Sequence, residues 1–422
     1  MDTAIVLFNR DLRVHDHPAL SAACARAAHV VPLFVLDPAV PAGGRRGFLL
    51  QCLAGLRDAL RERGGDLVVR HGDVVAETMR LAAETGATAV HAGADVSALA
   101  RRREERLAAE RVEFVRHPGV TVVPPGDLRP SGGGDHYRVF TPYWNAWRRH
   151  RRRPVLPPPD QVRLPAGLAP GELPPHPAAG DLPGGERPAR ERAGHWLRHG
   201  LTGYGDGHDD LAGDRTSRLS PYLRFGCLSP LELACRAAHG EDFVRQLCWR
   251  DFHHQVTYAF PRINRENYRR KERRWRHDRD ALQAWEAGMT GLPIVDAGMR
   301  QLLAEGWMHN RARLIVATYL IGRLGLDWRD GARHFFEHLL DGDVANNSGN
   351  WQWVAGTGND TRPKRGFNLL RQARRYDPAG DYVRRYVPEL AGVPGARVHE
   401  PWRLPSLPAG YPARLDGTDD QG

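Results

Sequence analysis

Lysine is almost absent from this chain: Lys271 and Lys364 are the only two among 60 lysines and arginines. The formal net charge of +10 therefore rests on guanidinium groups. Cysteine is equally scarce, with five residues (Cys24, Cys52, Cys227, Cys235, Cys248) and no CxxC spacing. That excludes a disulfide framework or zinc-finger pattern and fits reduced intracellular thiols. No apolar run reaches the roughly 20 residues of a membrane-spanning helix. The N-terminus enters a strand pattern without a signal peptide's basic and apolar regions. A cytoplasmic protein with no membrane partner and no bound metal is the expectation. The dinucleotide turn is also missing. After the first strand stands Asn9-Arg10-Asp11-Leu12-Arg13, where a G-x-G-x-x-G turn would let a pyrophosphate approach the backbone, so NAD chemistry is disfavoured.

A length of 422 residues exceeds what one core usually organises, which predicts two domains. Apolar runs at Ala4–Phe8, His29–Leu36, Asp66–Arg70, Thr88–His91 and Val112–Val115 alternate with amphipathic stretches such as Gly47–Arg63 and Ser97–Arg111. Strands without polar alternation are covered on both faces, so residues 1–130 predict an α/β domain with a doubly wound parallel sheet. Residues 131–192 read as an interdomain linker, because Pro154–Pro188 is rich in Pro and Gly and lacks periodicity. From Ala193 the apolar spacing is helical, as in Phe243–Phe260, Pro293–Glu305, Arg311–Leu324 and Trp328–Leu340. Residues 193–422 thus predict a larger all-α domain. The basic excess favours a polyanionic partner, since binding phosphates releases counterions. The run Arg148–Arg153 is read first as a solvated helix end.

Three segments depart from ordinary core. Tyr204–Gly207 followed by Thr216–Leu223 offers hydroxyls that cap a helix or hold a pyrophosphate, the cap being the first reading. Gln246–Phe252 places Trp249 beside Arg250, either as core and surface or as a stacking ring beside a phosphate ligand. Gly306–Arg313 precedes Asp341–Asp343 and Asn346–Trp353. Two tryptophans at i, i+2 among amides and glycine predict an irregular turn, whose buried polar groups hint at a bound polar ring. His309 lacks metal-ligand neighbours and reads as a structural hydrogen-bonding group.

With these segments in this order, the chain resembles the photolyase/cryptochrome family from Phe8–Asp16 to Tyr382–Leu390. Thr216–Ser220, Trp307–Arg311 and Asn350–Trp353 carry the resemblance. It is most similar to bacterial class I cyclobutane pyrimidine dimer photolyases. The resemblance implies FAD in the helical domain, active in its reduced anionic form, and light-driven electron transfer to a dimer flipped out of damaged DNA, by a monomer. It assigns Tyr204, Thr216, Ser217, Arg218, Leu219 and Ser220 to the phosphates and ribityl chain. Asp341, Gly342 and Asp343 fall near the ribose and ring, with Arg313 pairing Asp341 and Asn347 facing flavin N5. Gln246, Trp249, Asn310 and Trp353 are assigned to the lesion, and Arg250, Arg311, Arg365 and Gln372 to DNA. Trp275, Trp328 and Trp351 match the electron relay. An antenna chromophore is implied in the α/β domain, with Arg46 and Asp95 as its residues and 8-hydroxydeazaflavin favoured over methenyltetrahydrofolate.

Four departures stand out. Gln246 occupies a position where many class I enzymes carry Glu, which leaves a (6-4) photolyase as an alternative beside a cryptochrome-type receptor. His208 replaces an expected Arg, Leu314 stands for Met, and Pro363–Asn368 is one residue shorter than the commonest form.

Overall fold

The structure is a computed structural model describing residues 2–40, 43–177, 181–270, 273–359 and 367–417. Five strands occur in the order β1 Thr3–Leu7, β2 His29–Leu36, β3 Val68–His71, β4 Ala87–Gly93 and β5 Glu113–His117. The helices run α1 Pro18–Arg26, α2 Arg46–Arg61, α3 Val74–Thr85, α4 Ala98–Ala108, α5 Phe140–Arg149, α6 Glu186–His199, α7 Tyr204–Gly207, α8 Ser220–Phe225 and α9 Pro230–Arg236. They continue as α10 Glu241–Ala259, α11 Arg279–Glu286, α12 Pro293–Glu305, α13 Asn310–Thr318, α14 Trp328–His338, α15 Val344–Ala355, α16 Leu369–Tyr376 and α17 Asp381–Tyr386. No helix among the described residues is long and apolar enough to cross a membrane.

The chain divides into two compact units. The first comprises Met1–Thr202 and Ser217–Arg262, and the second Gly203–Thr216 and Ile263–Gly422. The division does not follow the expected linker, because α6 and α8–α10 belong with the α/β part.

In the first unit the sheet is wholly parallel, in the order β3-β2-β1-β4-β5. All five residues of β1 are buried, as apolar runs without alternation require. Ile5, Leu7, Val31, Leu33, Val68 and Val90 build the core with Leu81 and Leu107 from the covering helices. Local chemistry sets the helix ends: Asp73 accepts from Val75 and Ala76 N–H to start α3, and left-handed Gly86 closes it. The Pro-rich stretch after α5 carries no helix or strand among its described residues and is hydrogen-bonded to this unit. Val30 N–H donates to Arg163, Val69 N–H to Pro170, and Val162 N–H to Arg63. In the basic run, Arg148, Arg149 and Arg151 are exposed, whereas Arg153 pairs with buried Asp16.

The second unit is helical around a core that includes Trp285, Trp328, Trp351, Met299, Ile315, Phe335 and Tyr382. The expected helix Arg311–Leu324 is two elements: α13 ends at Thr318 and one π-helical turn spans Tyr319–Arg323. Such turns recur near functional sites.

Candidate functional site

The run Asn346–Trp353 is not the irregular turn that its composition predicts. It lies within α15. Two terminal devices outweigh the poor helix propensity of Asn and Gly. Asp343 caps the start, its carboxylate accepting from the Asn346 backbone N–H at 2.8 Å and from the Asn346 amide at 2.7 Å. Gly356, at φ 74, closes the end in the left-handed region. Burial supplies the rest. Gln352 is fully buried, donating to Ile263 and Glu266 carbonyls at 2.7 and 2.9 Å and accepting from Tyr268 N–H at 2.8 Å. This clasp was not legible in the sequence, because Gln is usually exposed.

Asn347 and Trp351 stand four residues apart on α15 and so share a face. The Asn347 amide donates to the Ala332 carbonyl at 2.8 Å, which directs its capacity as an acceptor elsewhere. Trp351 is 2% exposed, with Phe335 edge-on at 5.0 Å and Trp285 edge-on at 6.1 Å. Its ring lies against Gly331 of α14, where an added Cβ would come within 2.2 Å of the indole. Trp328 begins α14, three residues earlier and on the same face as Gly331. It is fully buried, and its indole N–H donates to Asn267 at 3.0 Å. Trp275 is partly buried under the Arg273 guanidinium, 4.5 Å from the ring centre. Trp353 is half-buried.

Around this helix the second unit gathers charge. Arg313 binds Asp341 through two bonds of 3.1 and 2.8 Å and also donates to the Met308 carbonyl. Gly342 follows, its N–H donating to Leu339. Arg311 is engaged by both carboxylate oxygens of Asp209 and lies over Tyr376 at 4.3 Å. Asp209 was missed by sequence reasoning, since nothing in the spacing pairs residues 209 and 311. Asn310 is exposed at the first position of α13, and Gln372 holds a buried side-chain oxygen for which no hydrogen-bond partner occurs among the described residues. Arg365 and the shortened segment around it lie outside the described residues, apart from Phe367 and Asn368. Tyr204 packs on His208 with ring centres 5.1 Å apart. His208 donates from Nδ1 to the Tyr204 and Gly205 carbonyls and so serves the local turn where Arg was expected. Leu314 is half-buried on α13.

The helix-cap reading of Thr216 and Ser217 is overturned. Thr216 donates its hydroxyl to Asp214, Ser217 accepts from Leu219 N–H, and the N-cap position of α8 is Leu219, whose side chain makes no capping bond. Asp214 and Arg218 bracket the pair in the left-handed region, at φ 44 and 50. Non-glycine residues there are held by their surroundings and cluster at ligand sites. Leu219 is buried and Ser220 begins α8 on the exposed side.

On α10 of the first unit, Gln246 is exposed and Trp249 and Arg250 are half-buried. Arg250 donates to the Val120 carbonyl at 2.6 Å, so its guanidinium is anchored on the backbone. Asp95 accepts from Arg10 at 3.1 Å and from Val96 N–H at 2.7 Å. The structure therefore pairs Asp95 with Arg10, and Arg46 sits exposed at the start of α2.

His309 acts as expected from sequence: its Nδ1 accepts from Arg311 N–H at 3.1 Å and caps α13, which requires a neutral ring. Burial pushes it down to about 4, and likewise His334 and His117. A folded pKa below the unfolded value of about 6.5 means that the unfolded chain binds the extra protons. Stability is then complete above that value and falls as pH drops toward 4, by at most about 1.4 kcal/mol per pH unit for each ring. Asp251, raised to about 6 chiefly by burial, contributes the opposite sign and offsets one ring. Urea midpoints should fall between pH 7 and pH 5, less steeply in His334→Gln. A flat profile in the native chain would contradict the assignment.

The comparisons with known proteins agree with this architecture. The family described as "DNA photolyase" matches residues 4–162, and the one described as "FAD binding domain of DNA photolyase" matches residues 243–415. A deoxyribodipyrimidine photo-lyase of Streptomyces griseus is 50% identical over 96% of this chain and 94% of its own length. A cryptochrome DASH of Natronomonas pharaonis is 36% identical, covering 96% of this chain and 94% of its own. The crystal structure of a class III photolyase from Agrobacterium tumefaciens superposes with a TM-score of 0.91 at 33% identity, over 99% of this chain and 94% of that one.

Proposed function

The chain belongs to the DNA photolyase family, and from that premise we propose that it repairs cyclobutane pyrimidine dimers in DNA by light-driven electron transfer from reduced FAD. The observation that carries this reading is the shared face of Asn347 and Trp351 on α15. An amide able to tune a flavin and a readily oxidised buried ring are thereby held one turn apart.

The residues fit the cofactor. Asn347 retains a carbonyl oxygen that can accept from a reduced ring N–H, since its amide N–H is engaged by Ala332. The Arg313–Asp341 pair fixes the Asp341 carboxylate, which directly precedes Gly342 and Asp343 in the chain. The left-handed residues Asp214 and Arg218 shape the backbone around Thr216 and Ser217, which suits phosphate and ribityl oxygens. When bound, reduced FAD supplies the light-absorbing electron donor. The chain's part is to exclude water, fix geometry and deliver electrons. Trp351, Trp328 and Trp275 would relay electrons inward, the first two buried and the third reaching the surface. By the resemblance, Gln246 and Trp249 of the first unit, and separately Asn310 and Trp353 of the second, are assigned to the lesion, whose weakened stacking lowers the few kcal/mol that flipping costs. Arg250, Arg311, Arg365 and Gln372 would serve the DNA.

For the antenna we keep 8-hydroxydeazaflavin in the first unit with Arg46 and Asp95, on the resemblance alone. Visible absorbance of the purified protein checks it, and a folate spectrum would replace it.

The deciding experiment illuminates reduced, FAD-loaded protein with two DNA substrates, one bearing a cyclobutane dimer and one a (6-4) product. Repair of the first alone is expected. Repair of the second alone would move the specificity to the alternative that Gln246 raises. Repair of neither would leave the cryptochrome-type receptor as the remaining alternative.

A further inference from the structure

The first unit contains an aromatic arrangement that the relay and cofactor assignments do not use. Phe140, the first residue of α5, lies face to face with Trp249 of α10, ring centres 3.6 Å apart and planes within 3°. Full overlap of this kind is less favourable than an offset or edge-on pair, so something other than the two rings must hold it. The ties are visible on both sides of Phe140. Before it, Gln255 of α10 accepts from Tyr137 N–H at 2.9 Å and donates to the Tyr137 carbonyl at 2.8 Å. Seven residues after it, Trp147 donates its indole N–H to Asp251 of α10 at 2.9 Å. Phe140 is 1% exposed and meets Phe252 edge-on at 5.8 Å. The Arg245 guanidinium, one turn before Trp249, stands 5.2 Å from its centre. Phe140 is therefore fixed by bonds in which Trp249 takes no part.

Trp249 is placed differently. One face is covered by Phe140, one edge meets Phe252 at 5.5 Å and 85°, and the His253 ring lies 5.9 Å away at 32°, yet the residue is only half-buried. No bond from its indole N–H is found among the described residues. A broad ring with one face backed by a rigid partner, and no internal claim on its donor, is a platform for another flat polar ring. Base–aromatic stacking is worth about 1–3 kcal/mol per base, and it depends on the plane being in place beforehand.

We infer that Phe140 is a positioning residue for lesion recognition, setting the plane of Trp249 so that a flipped pyrimidine stacks on a preformed surface. The inference rests on the assignment of Trp249 to the lesion. Phe140 acts only through Trp249 and reaches neither substrate nor cofactor.

The test compares Phe140→Leu, Trp249→Leu and the double variant, all FAD-loaded, on duplexes with and without a cyclobutane dimer. Phe140→Leu should weaken binding of the dimer duplex by about 3- to 10-fold, the range of a lost aromatic pair, and leave undamaged duplex within about twofold. In the Trp249→Leu background the same substitution should change dimer binding by less than about twofold, because coupling vanishes once one partner is gone. The near-ultraviolet circular dichroism of the tryptophans should change in Phe140→Leu and not in Phe140→Tyr, which restores the ring. If Phe140→Leu does not fold, Phe140→Met, flexible and of similar volume, takes its place. Unchanged discrimination in the Phe140 variants with lost discrimination in Trp249→Leu would overturn the inference alone. Unchanged discrimination in every variant would overturn the Trp249 assignment as well.

Discussion

Replacing Trp351 by Phe should lower the rate of flavin photoreduction by about an order of magnitude or more, equivalent to at least ~1.4 kcal/mol on the barrier. Repair by protein reduced chemically beforehand should stay close to normal. The expectation follows from the ring's placement. Trp351 is 2% exposed, wedged edge-on against Phe335 and Trp285, and its outer carbons rest on Gly331. Phe is much harder to oxidise than Trp, so the substitution removes a donor and keeps a ring. It also leaves a void, which costs stability roughly in proportion to its volume. Thermal melting must therefore be recorded beside the photochemistry. A modest loss of melting temperature with intact photoreduction would show that Trp351 is packing alone. Loss of photoreduction together with loss of pre-reduced repair would mean that the flavin environment had collapsed.

Asp251→Ala should destabilise the first unit by about 3–5 kcal/mol, near the top of what single substitutions do. One carboxylate oxygen accepts three hydrogen bonds: from Val122 N–H at 2.9 Å, Val123 N–H at 3.0 Å and the Trp147 indole at 2.9 Å. Alanine would strand three buried donors. The residue is 1% exposed, so bulk solvent does not reach the three donors. Among the described residues the other oxygen makes no hydrogen bond, and it stands 3.7 Å from Arg250. Asp251→Asn can keep the triple acceptor and remove the cost of burying a charge, which already holds the carboxyl up at about 6. The Asn variant should therefore lie within about 1–2 kcal/mol of the native chain. Urea denaturation of both variants measures the contrast. Equal losses for Ala and Asn would show that the charge beside Arg250 is what matters.

Much of the fold could be read from the sequence where one physical rule dominated. β2 and α12 have the expected boundaries because an unbroken apolar run and a Pro-started amphipathic run admit one interpretation each. The parallel sheet followed from strands lacking alternation. The candidate site was legible as a set of residue types and much less so as geometry. The helix at Asn346–Trp353 was hidden because its determinants, the Asp343 cap and the burial of Gln352, act from outside the motif. Thr216 and Ser217 look like caps locally, and only the left-handed backbone at Asp214 and Arg218 shows otherwise. Partnerships across long separations, such as Arg311 with Asp209 or Phe140 with Trp249, left no local signal. Composition alone cannot carry such information. Asp251, by contrast, sat within a motif already singled out, and an acidic residue on a buried helix face was a usable sign.

The Pro-rich passage after α5 has a consequence for solubility. β3 is the outer strand of the sheet, and an outer strand displays unpaired N–H groups that can recruit a strand from another molecule. Here the Val69 N–H is taken by the Pro170 carbonyl, and Leu164 and Leu168 pack onto the sheet's core. A proline-rich segment offers acceptors but few donors, so it can occupy the strand without becoming a template itself. A stretch that looks like a spacer in composition is in effect a guard against aggregation.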